Sequence, residues 1–219
     1  MSNPQLQWGL AVLERLPLQG SEFVLDVGCG TGRLTARLLD RLPRGRVAAV
    51  DTSANMLDTA RTYLQALSGG RVSFAQADAA ALPFVGAADA IFSTATFHWV
   101  LDHDRLFHSL YAALKPGGRL VAQCGGGRNI ERIHGRCLAL MREPGFAPYF
   151  ALWSEPWRYA GAADTASRLA LAGFTDIRTD VVPAPVLFDD AAAFREFVTH
   201  VIARPFLAPI TDEIGRAHV

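Results

Sequence analysis

At 219 residues and 50% hydrophobic, the chain is long enough to bury a sizeable core without a disulfide or metal staple, and one domain is expected. Twenty-one basic residues balance 21 acidic ones, so no net field holds it on nucleic acid or an anionic membrane, and neither is an expected partner. Cys29, Cys124 and Cys137 are odd in number and far apart, which argues against a disulfide framework or a zinc site; no apolar run approaches the ~18 residues of a membrane span, and the polar start is no signal peptide. A cytoplasmic protein without a metal fits these bounds.

The first apolar residues, Leu6, Leu10, Leu13 and Leu16, recur near helical spacing until Pro17 stops them. Phe23 to Val27 then forms a short apolar run that carries an acid, Asp26, and breaks into glycines at alternate positions, Gly28, Gly30 and Gly32. Glycine there lets the backbone approach a bound molecule and adopt positive φ, so strand and turn predict a ligand site. From Gly32, Leu34, Leu38 and Leu42 predict a helix crossing back over the sheet.

Strand two, Arg46 to Val50, runs into Asp51 and Thr52, and Ser53 predicts an N-cap for a helix burying Met56, Leu57, Ala60, Leu64 and Leu67. Strand three, Val72 to Ala75, is followed by Asp78 and Ala79. Strand four centres on Ala90 to Phe92 and continues as Ser93-Thr94-Ala95-Thr96-Phe97-His98-Trp99 into a helix with Leu106, Phe107, Leu110 and Leu114 on one face. Lys115-Pro116-Gly117-Gly118 predicts a helix stop and a turn into strand five, Arg119 to Cys124. Strand and helix alternate with short connections, which predicts an α/β fold: a Rossmann-like, doubly wound, mostly parallel sheet with helices on both faces. In such sheets ligands bind beyond the carboxyl ends of the strands, where Asp26, Asp51, Asp78 and Ser93 all fall.

After strand five the alternation is interrupted. A helix over Ile130 to Met141 is followed by Phe146, Tyr149, Phe150, Trp153, Trp157 and Tyr159, so residues 125–161 are expected to form a lid-like, aromatic helical insertion. Thr175 to Val181 alternates apolar and charged residues, and with Pro183 and Pro185 predicts an edge strand. The last clear helix holds Phe194, Phe197, Val198, Val201 and Ile202, and Arg204-Pro205 is expected to end it.

The spacing of the turn separates two cofactor classes. A dinucleotide site wants G-x-G-x-x-G under the pyrophosphate, whereas here Gly28-x-Gly30-x-Gly32 follows a carboxylate that would repel phosphate and attract an amine or sulfonium. A cationic cofactor without phosphates is favoured over a nicotinamide cofactor and an oxidoreductase. Asp51 can accept from two ribose hydroxyls, Asp78 can meet an adenine amino group, and Met56 and Leu82 can sandwich the base.

The run Asp26-Val-Gly-Cys-Gly-Thr-Gly32, Asp51, Asp78 and Leu114-Lys-Pro-Gly-Gly118 together resemble the class I S-adenosylmethionine-dependent methyltransferases. The resemblance spans roughly residues 5–210 and implies that Asp26, Gly28 and Gly30 line the methionyl part of S-adenosylmethionine, Asp51 the ribose, and Asp78 with Ala79 the adenine. Gly32, Thr52, Met56 and Ser93 complete the expected cofactor site. Within the class, Ser93 to Asp104 and the aromatic insertion look most like the trans-aconitate and malonyl-carrier carboxyl methyltransferases. That implies O-methylation of a small-molecule carboxylate; methylation of a nitrogen, carbon or hydroxyl, or cofactor binding without turnover, is the alternative. An ionised acceptor needs no base, but it needs a cation. His98 is the candidate for orienting the acceptor or taking a proton, and Trp99, Arg128, Tyr149 and Arg158 are candidates for contacting it, beside Arg132 and Arg136. The class closes its sheet with a final antiparallel strand, for which no candidate remains after Ile202. Glu213 to Val219 back-translates into a widely used sequencing adapter, so residues 1–212 are expected to be the methyltransferase domain and 213–219 a non-native tail.

Overall fold

The computed structural model describes the backbone of residues 4–217 and the side chains of residues 5–199 and 201–211. The chain divides into two compact units, residues 1–127 with 157–181, and residues 128–156 with 182–219.

The first unit holds one sheet of five parallel strands. The chain runs α1 (Pro4–Glu14), β1 (Phe23–Val27), α2 (Arg33–Asp40), β2 (Arg46–Asp51), α3 (Ala54–Leu64), β3 (Val72–Gln76), β4 (Ala88–Thr94), α4 (His103–Ala113) and β5 (Leu114–Gln123), and the spatial order is β3-β2-β1-β4-β5. After β3 the chain returns to the other side of β1, so the order reverses between β1 and β4 and opens a crevice at their carboxyl ends. Side chains alternate across the sheet. Val24 packs with Leu13 of α1, with Leu16 just beyond that helix and with Leu38 of α2, while Leu25 and Val27 pack with Leu106 and Leu110 of α4 and Ala172 of α6 (Ala162–Ala172). That parity puts Asp26 on the α1/α2 side, and it decides which partner the carboxyl finds.

Lys115 to Gly118, expected as a turn before the strand, is instead a bulge within β5. Ala88 pairs with Leu114 and Ala90 with Arg119, so Asp89 alone stands opposite those four residues, with Gly117 at φ 76°. The Lys115 ammonium meets Asp89 at 2.6 Å, and the other carboxylate oxygen of Asp89 accepts the Phe23 N–H at 2.8 Å.

The edge strand expected over Thr175 to Val181 does not form. Asp176 sits at φ 51°, which interrupts the extended run, and among the described residues β5 pairs only with β4. Without a neighbouring ladder an extended segment has no partners for its backbone groups.

The second unit contains α5 (Glu131–Leu140), α7 (Ala191–Phe197), a π-helical turn over Val198–Ile202 and α8 (Arg204–Ala217). The expected stop at Arg204-Pro205 is instead the start of α8. Proline is tolerated in a first helical turn. Pro209, inside α8, has no N–H to give to the carbonyl of Pro205, and the indole N–H of Trp153 donates there instead at 3.1 Å. Phe206 is buried against Trp153, ring centres 5.4 Å apart. Of the expected tail, residues 213–217 continue α8, while 218 and 219 lie outside the described residues.

Candidate functional site

A cavity of about 840 Å³ lies at the carboxyl ends of the strands, at the switch point. Its floor is the glycine turn. The N–H groups of Gly28 and Cys29 both donate to the carbonyl of Val50, at 2.8 and 3.0 Å, so the turn is held on the tip of β2. Gly28 has φ 78°, and a Cβ there would stand 1.9 Å from the Thr96 hydroxyl oxygen, so the β4 tip presses on it. Gly30, at φ 53°, opens into the cavity, and a Cβ at that position would meet no atom within 4 Å. Both positions have backbone angles that favour glycine.

Three carboxylates, at or just past the ends of β1, β2 and β3, line the cavity. Asp26 is 3% exposed and accepts the Thr35 hydroxyl at 2.6 Å. Burial pushes its pKa up to about 7, the Thr35 hydrogen bond opposes this, and the charge of Asp51 adds to it. Asp51 accepts the N–H of Gly30 with one oxygen and that of Ser53 with the other, both at 2.9 Å. Asp78 caps a short 3-10 turn, Ala79–Ala81, by accepting the Ala80 N–H at 2.9 Å. Thr52, Met56 and Ala79 also line the cavity, with Met56 39% exposed.

The structure thus brings together Asp26, Gly28, Gly30, Asp51, Thr52, Met56, Asp78, Ala79 and Trp99. Gly32, Ser93 and Leu82 do not line the cavity. Gly32, at φ 80°, begins α2 against Leu64; the buried Ser93 hydroxyl donates to the Val27 carbonyl at 2.7 Å; Leu82 packs into the core beside α4. Burial also pushes the Cys29 thiol up, so this residue of the turn is no ready nucleophile.

His98 and Arg158 are near each other but behind the cavity wall rather than among its lining residues. The His98 ring stacks on Tyr159 with centres 5.6 Å apart, and its Nδ1 accepts the Gly125 N–H at 3.2 Å. That bond leaves the proton of the neutral ring on Nε2. Burial, helped by the charge of His103, lowers its pKa to about 4. The backbone N–H of Arg158 donates to the His98 carbonyl at 2.8 Å, and its guanidinium donates to the carbonyl of Leu101 at 3.1 Å and pairs with Asp164 at 3.7 Å. Together with the contact of Trp157 on Trp99, 5.5 Å between centres, this braces the wall from Trp99 to Leu101. Arg128 and Tyr149 belong to the second unit, where Arg128 is paired with Glu131 at 2.6 Å.

Several lining residues are not among those the sequence picks out. Thr94 ends β4, and Ala95, at φ 54°, and Thr96 follow directly at its tip, which places them at the site by adjacency. Arg33 directly follows the glycine turn, which places it at the site by adjacency. Gln5, Leu6 and Arg105 carry no motif.

Residues 24–118 match the family model described as a methyltransferase domain. A trans-aconitate 2-methyltransferase of Azoarcus sp. (strain BH72) is 36% identical over 95% of this chain and 79% of its own length. The chain belongs to the class I S-adenosylmethionine-dependent methyltransferases. A second relative of the same name, from Paracidovorax citrulli, is 35% identical over 92% of this chain and 76% of its own. Among solved structures, phosphoethanolamine N-methyltransferase 2 of Haemonchus contortus, in complex with phosphomonomethylethanolamine and S-adenosylhomocysteine, superposes with a TM-score of 0.61 at 26% identity. That match covers 78% of this methyltransferase and 37% of the other chain. The cofactor of the family is S-adenosylmethionine, and the cavity fits it chemically: an open glycine floor and carboxylates suit a cationic, phosphate-free ligand. No helix among the described residues is long and apolar enough to cross a membrane.

Proposed function

We propose that this methyltransferase esterifies a carboxylate of a small polycarboxylic acid of the trans-aconitate type, with the cavity at the strand tips as its cofactor site. The observation that carries the acceptor class is the 35–36% identity to the two trans-aconitate 2-methyltransferases over more than nine-tenths of the chain. Bound there, S-adenosylmethionine supplies an electrophilic methyl group on a sulfonium. Asp51 takes the ribose hydroxyls, Asp78 with Ala79 the adenine, Met56 covers the base, and the Gly28–Gly30 turn with Asp26 holds the methionyl group.

The protein's task is then placement. A carboxylate is ionised at neutral pH, so the acceptor needs no base, only an in-line approach in a site that excludes water. Several features favour such an acceptor. His98, behind the cavity wall, spends its Nδ1 lone pair on the Gly125 N–H, so it supplies no base that an amine acceptor would need. The β4 tip carries Ser93-Thr94-Ala95-Thr96 in place of the Asn/Asp-Pro-Pro-aromatic run that suits planar amide or base nitrogens. Trp99, 49% exposed on the cavity wall, supplies apolar surface for the acceptor's carbon skeleton. Balanced charge and three free cysteines suit a cytoplasmic enzyme acting on a small molecule without nucleic acid.

One observation favours a second reading, methylation of an amine: the cavity presents four carboxylates, Asp26, Asp51, Asp78 and Asp102. Incubation with methyl-labelled cofactor and a panel of di- and tricarboxylic acids, hydroxy acids and amines separates the two. Label in a base-labile ester of a polycarboxylic acid is the expected product. Label that survives base treatment, in an amine, would establish the second reading.

A further inference from the structure

Besides its four carboxylates, the cavity is lined by two cations, Arg33 and Arg105. They stand on opposite faces of the sheet. Arg33 opens α2, whose Leu38 packs with the α1 layer, whereas Arg105 lies on α4, whose Leu106 packs in the other layer. Arg105 also belongs to the far end of the cavity, since α4 is joined to the segment after the Ala79–Ala81 turn by a hydrogen bond from the Leu82 N–H to the Ser109 hydroxyl, 2.8 Å. That is the end assigned above to adenine.

Arg33 is exposed, and its side chain makes no ion pair or hydrogen bond among the described residues. The fold therefore does not use its charge. Its position is nonetheless fixed. Two residues further along α2, the Thr35 hydroxyl donates to Asp26 at 2.6 Å, which pins the first turn of α2 to the tip of β1. Arg33 and Asp26 are thereby held on the same side of the sheet beside the glycine turn, and both line the cavity.

An anion and a cation presented together complement a zwitterion. The methionyl end of the cofactor is one, with an ammonium and a carboxylate on the same carbon. The carboxylate cannot be placed against Asp26, Asp51 or Asp78 without repulsion, and Arg33 is the one cation lining the described cavity on the glycine-turn face. We propose that Arg33 is the counter-ion of the cofactor's α-carboxylate, with Asp26 facing the ammonium. A guanidinium suits this because it meets a carboxylate through two parallel N–H donors. The assignment rests on the reading that the glycine turn holds the methionyl group. It also predicts how the enzyme tells its cofactor from adenosine derivatives that lack the amino-acid group.

The test is calorimetric titration of wild type, Arg33→Gln and Arg33→Lys with two probes, S-adenosylhomocysteine and 5′-methylthioadenosine. The second probe keeps the base, ribose and sulfur but has no carboxylate. Arg33→Gln is expected to weaken S-adenosylhomocysteine by about fivefold or more and methylthioadenosine by less than about twofold, with Arg33→Lys in between. Retained binding of methylthioadenosine also reports that the variant is folded. Equal weakening of both probes, or of neither, would overturn the role of Arg33. A wild type that binds methylthioadenosine as tightly as S-adenosylhomocysteine would overturn it as well, while leaving the cofactor site in place. A wild type that binds neither would remove the cofactor site, and this assignment with it.

Discussion

One carboxylate oxygen of Asp51 accepts the N–H of Gly30 at 2.9 Å and so ties the tip of β2 to the glycine turn of β1. The other oxygen takes the N–H of Ser53, at the start of α3, at the same distance. Asp51 therefore shapes the site before any ligand arrives. Both acceptors are lost in Asp51→Ala, whereas Asp51→Asn keeps one oxygen for one N–H. Urea unfolding should show Asp51→Ala destabilised by about 2 kcal/mol and Asp51→Asn by roughly half of that, since hydrogen bonds to a charged group contribute ~1.5–3 kcal/mol. Equal losses in the two variants would mean that the geometry of Asp51, and not its acceptors, supports the turn.

Asp26 makes the site sensitive to pH. Burial raises its pKa from 3.8 to about 7 in the folded chain. Between those values the folded state keeps a proton that the unfolded state releases. Its contribution to stability is therefore fully present below about pH 4 and is lost as pH rises through about 7. A ligand ammonium beside Asp26 favours the ionised carboxylate, so at about pH 6 binding should expel a proton. Affinity for S-adenosylhomocysteine should then rise from about pH 5.5 and level off above about pH 7. Titrations in buffers of different ionisation enthalpy measure the proton released. Asp26→Asn should flatten the profile; an unchanged slope in that variant would assign the dependence to another group.

His98 is expected to behave as a hydrogen-bond donor or packing residue and not as a base. Its pKa of about 4 keeps it neutral through the working range, and its lone pair at Nδ1 is taken by Gly125. Replacing it with Phe keeps a ring between Trp99 and Tyr159 while removing both nitrogens. The turnover number of His98→Phe should fall by less than about tenfold, because loss of a general base costs ~10²–10⁴. A fall beyond about a hundredfold, with the cofactor still bound, would restore His98 as a base.

Trp153 anchors the second unit through its indole N–H, which replaces the donor that Pro209 cannot supply to the Pro205 carbonyl. Trp153→Phe leaves that carbonyl without this partner and should destabilise the protein by about 1–3 kcal/mol in thermal or urea unfolding. Adding Pro209→Ala, which returns the helical donor, should recover most of the loss. No recovery would show that packing on Phe206, and not the hydrogen bond, is what Trp153 contributes.

Much of the fold was legible because the three central strands, β1, β2 and β4, are buried and so carry short apolar runs. The predicted bounds of β1 and β3 agree with the observed ones to within one residue. The exceptions depend on contacts that lie far along the chain. The bulge at Lys115–Gly118 needs Asp89 opposite it. The absent strand at 175–181 follows from a missing neighbour and from the φ of Asp176. The helix through Pro209 requires an indole 52 residues from Pro205 in sequence. At the site, acids at strand tips could be seen from spacing, since a strand end fixes where the next residue points. Arg158 was expected at the acceptor because it is charged and near aromatics, yet it braces backbone carbonyls behind the wall. Nothing local in the sequence separates a guanidinium that meets a ligand from one that meets a carbonyl.

Everything proposed for the site depends on S-adenosylmethionine binding in the cavity at the strand tips, with Asp51 as its ribose acceptor. Calorimetric titration of S-adenosylhomocysteine into wild type and Asp51→Ala, at a temperature where both are folded, probes that dependence without any acceptor present. Wild type should bind with a submillimolar dissociation constant, and the variant should lose about 1.5 kcal/mol or more, roughly tenfold or greater in affinity. Equal affinities would contradict the assignment.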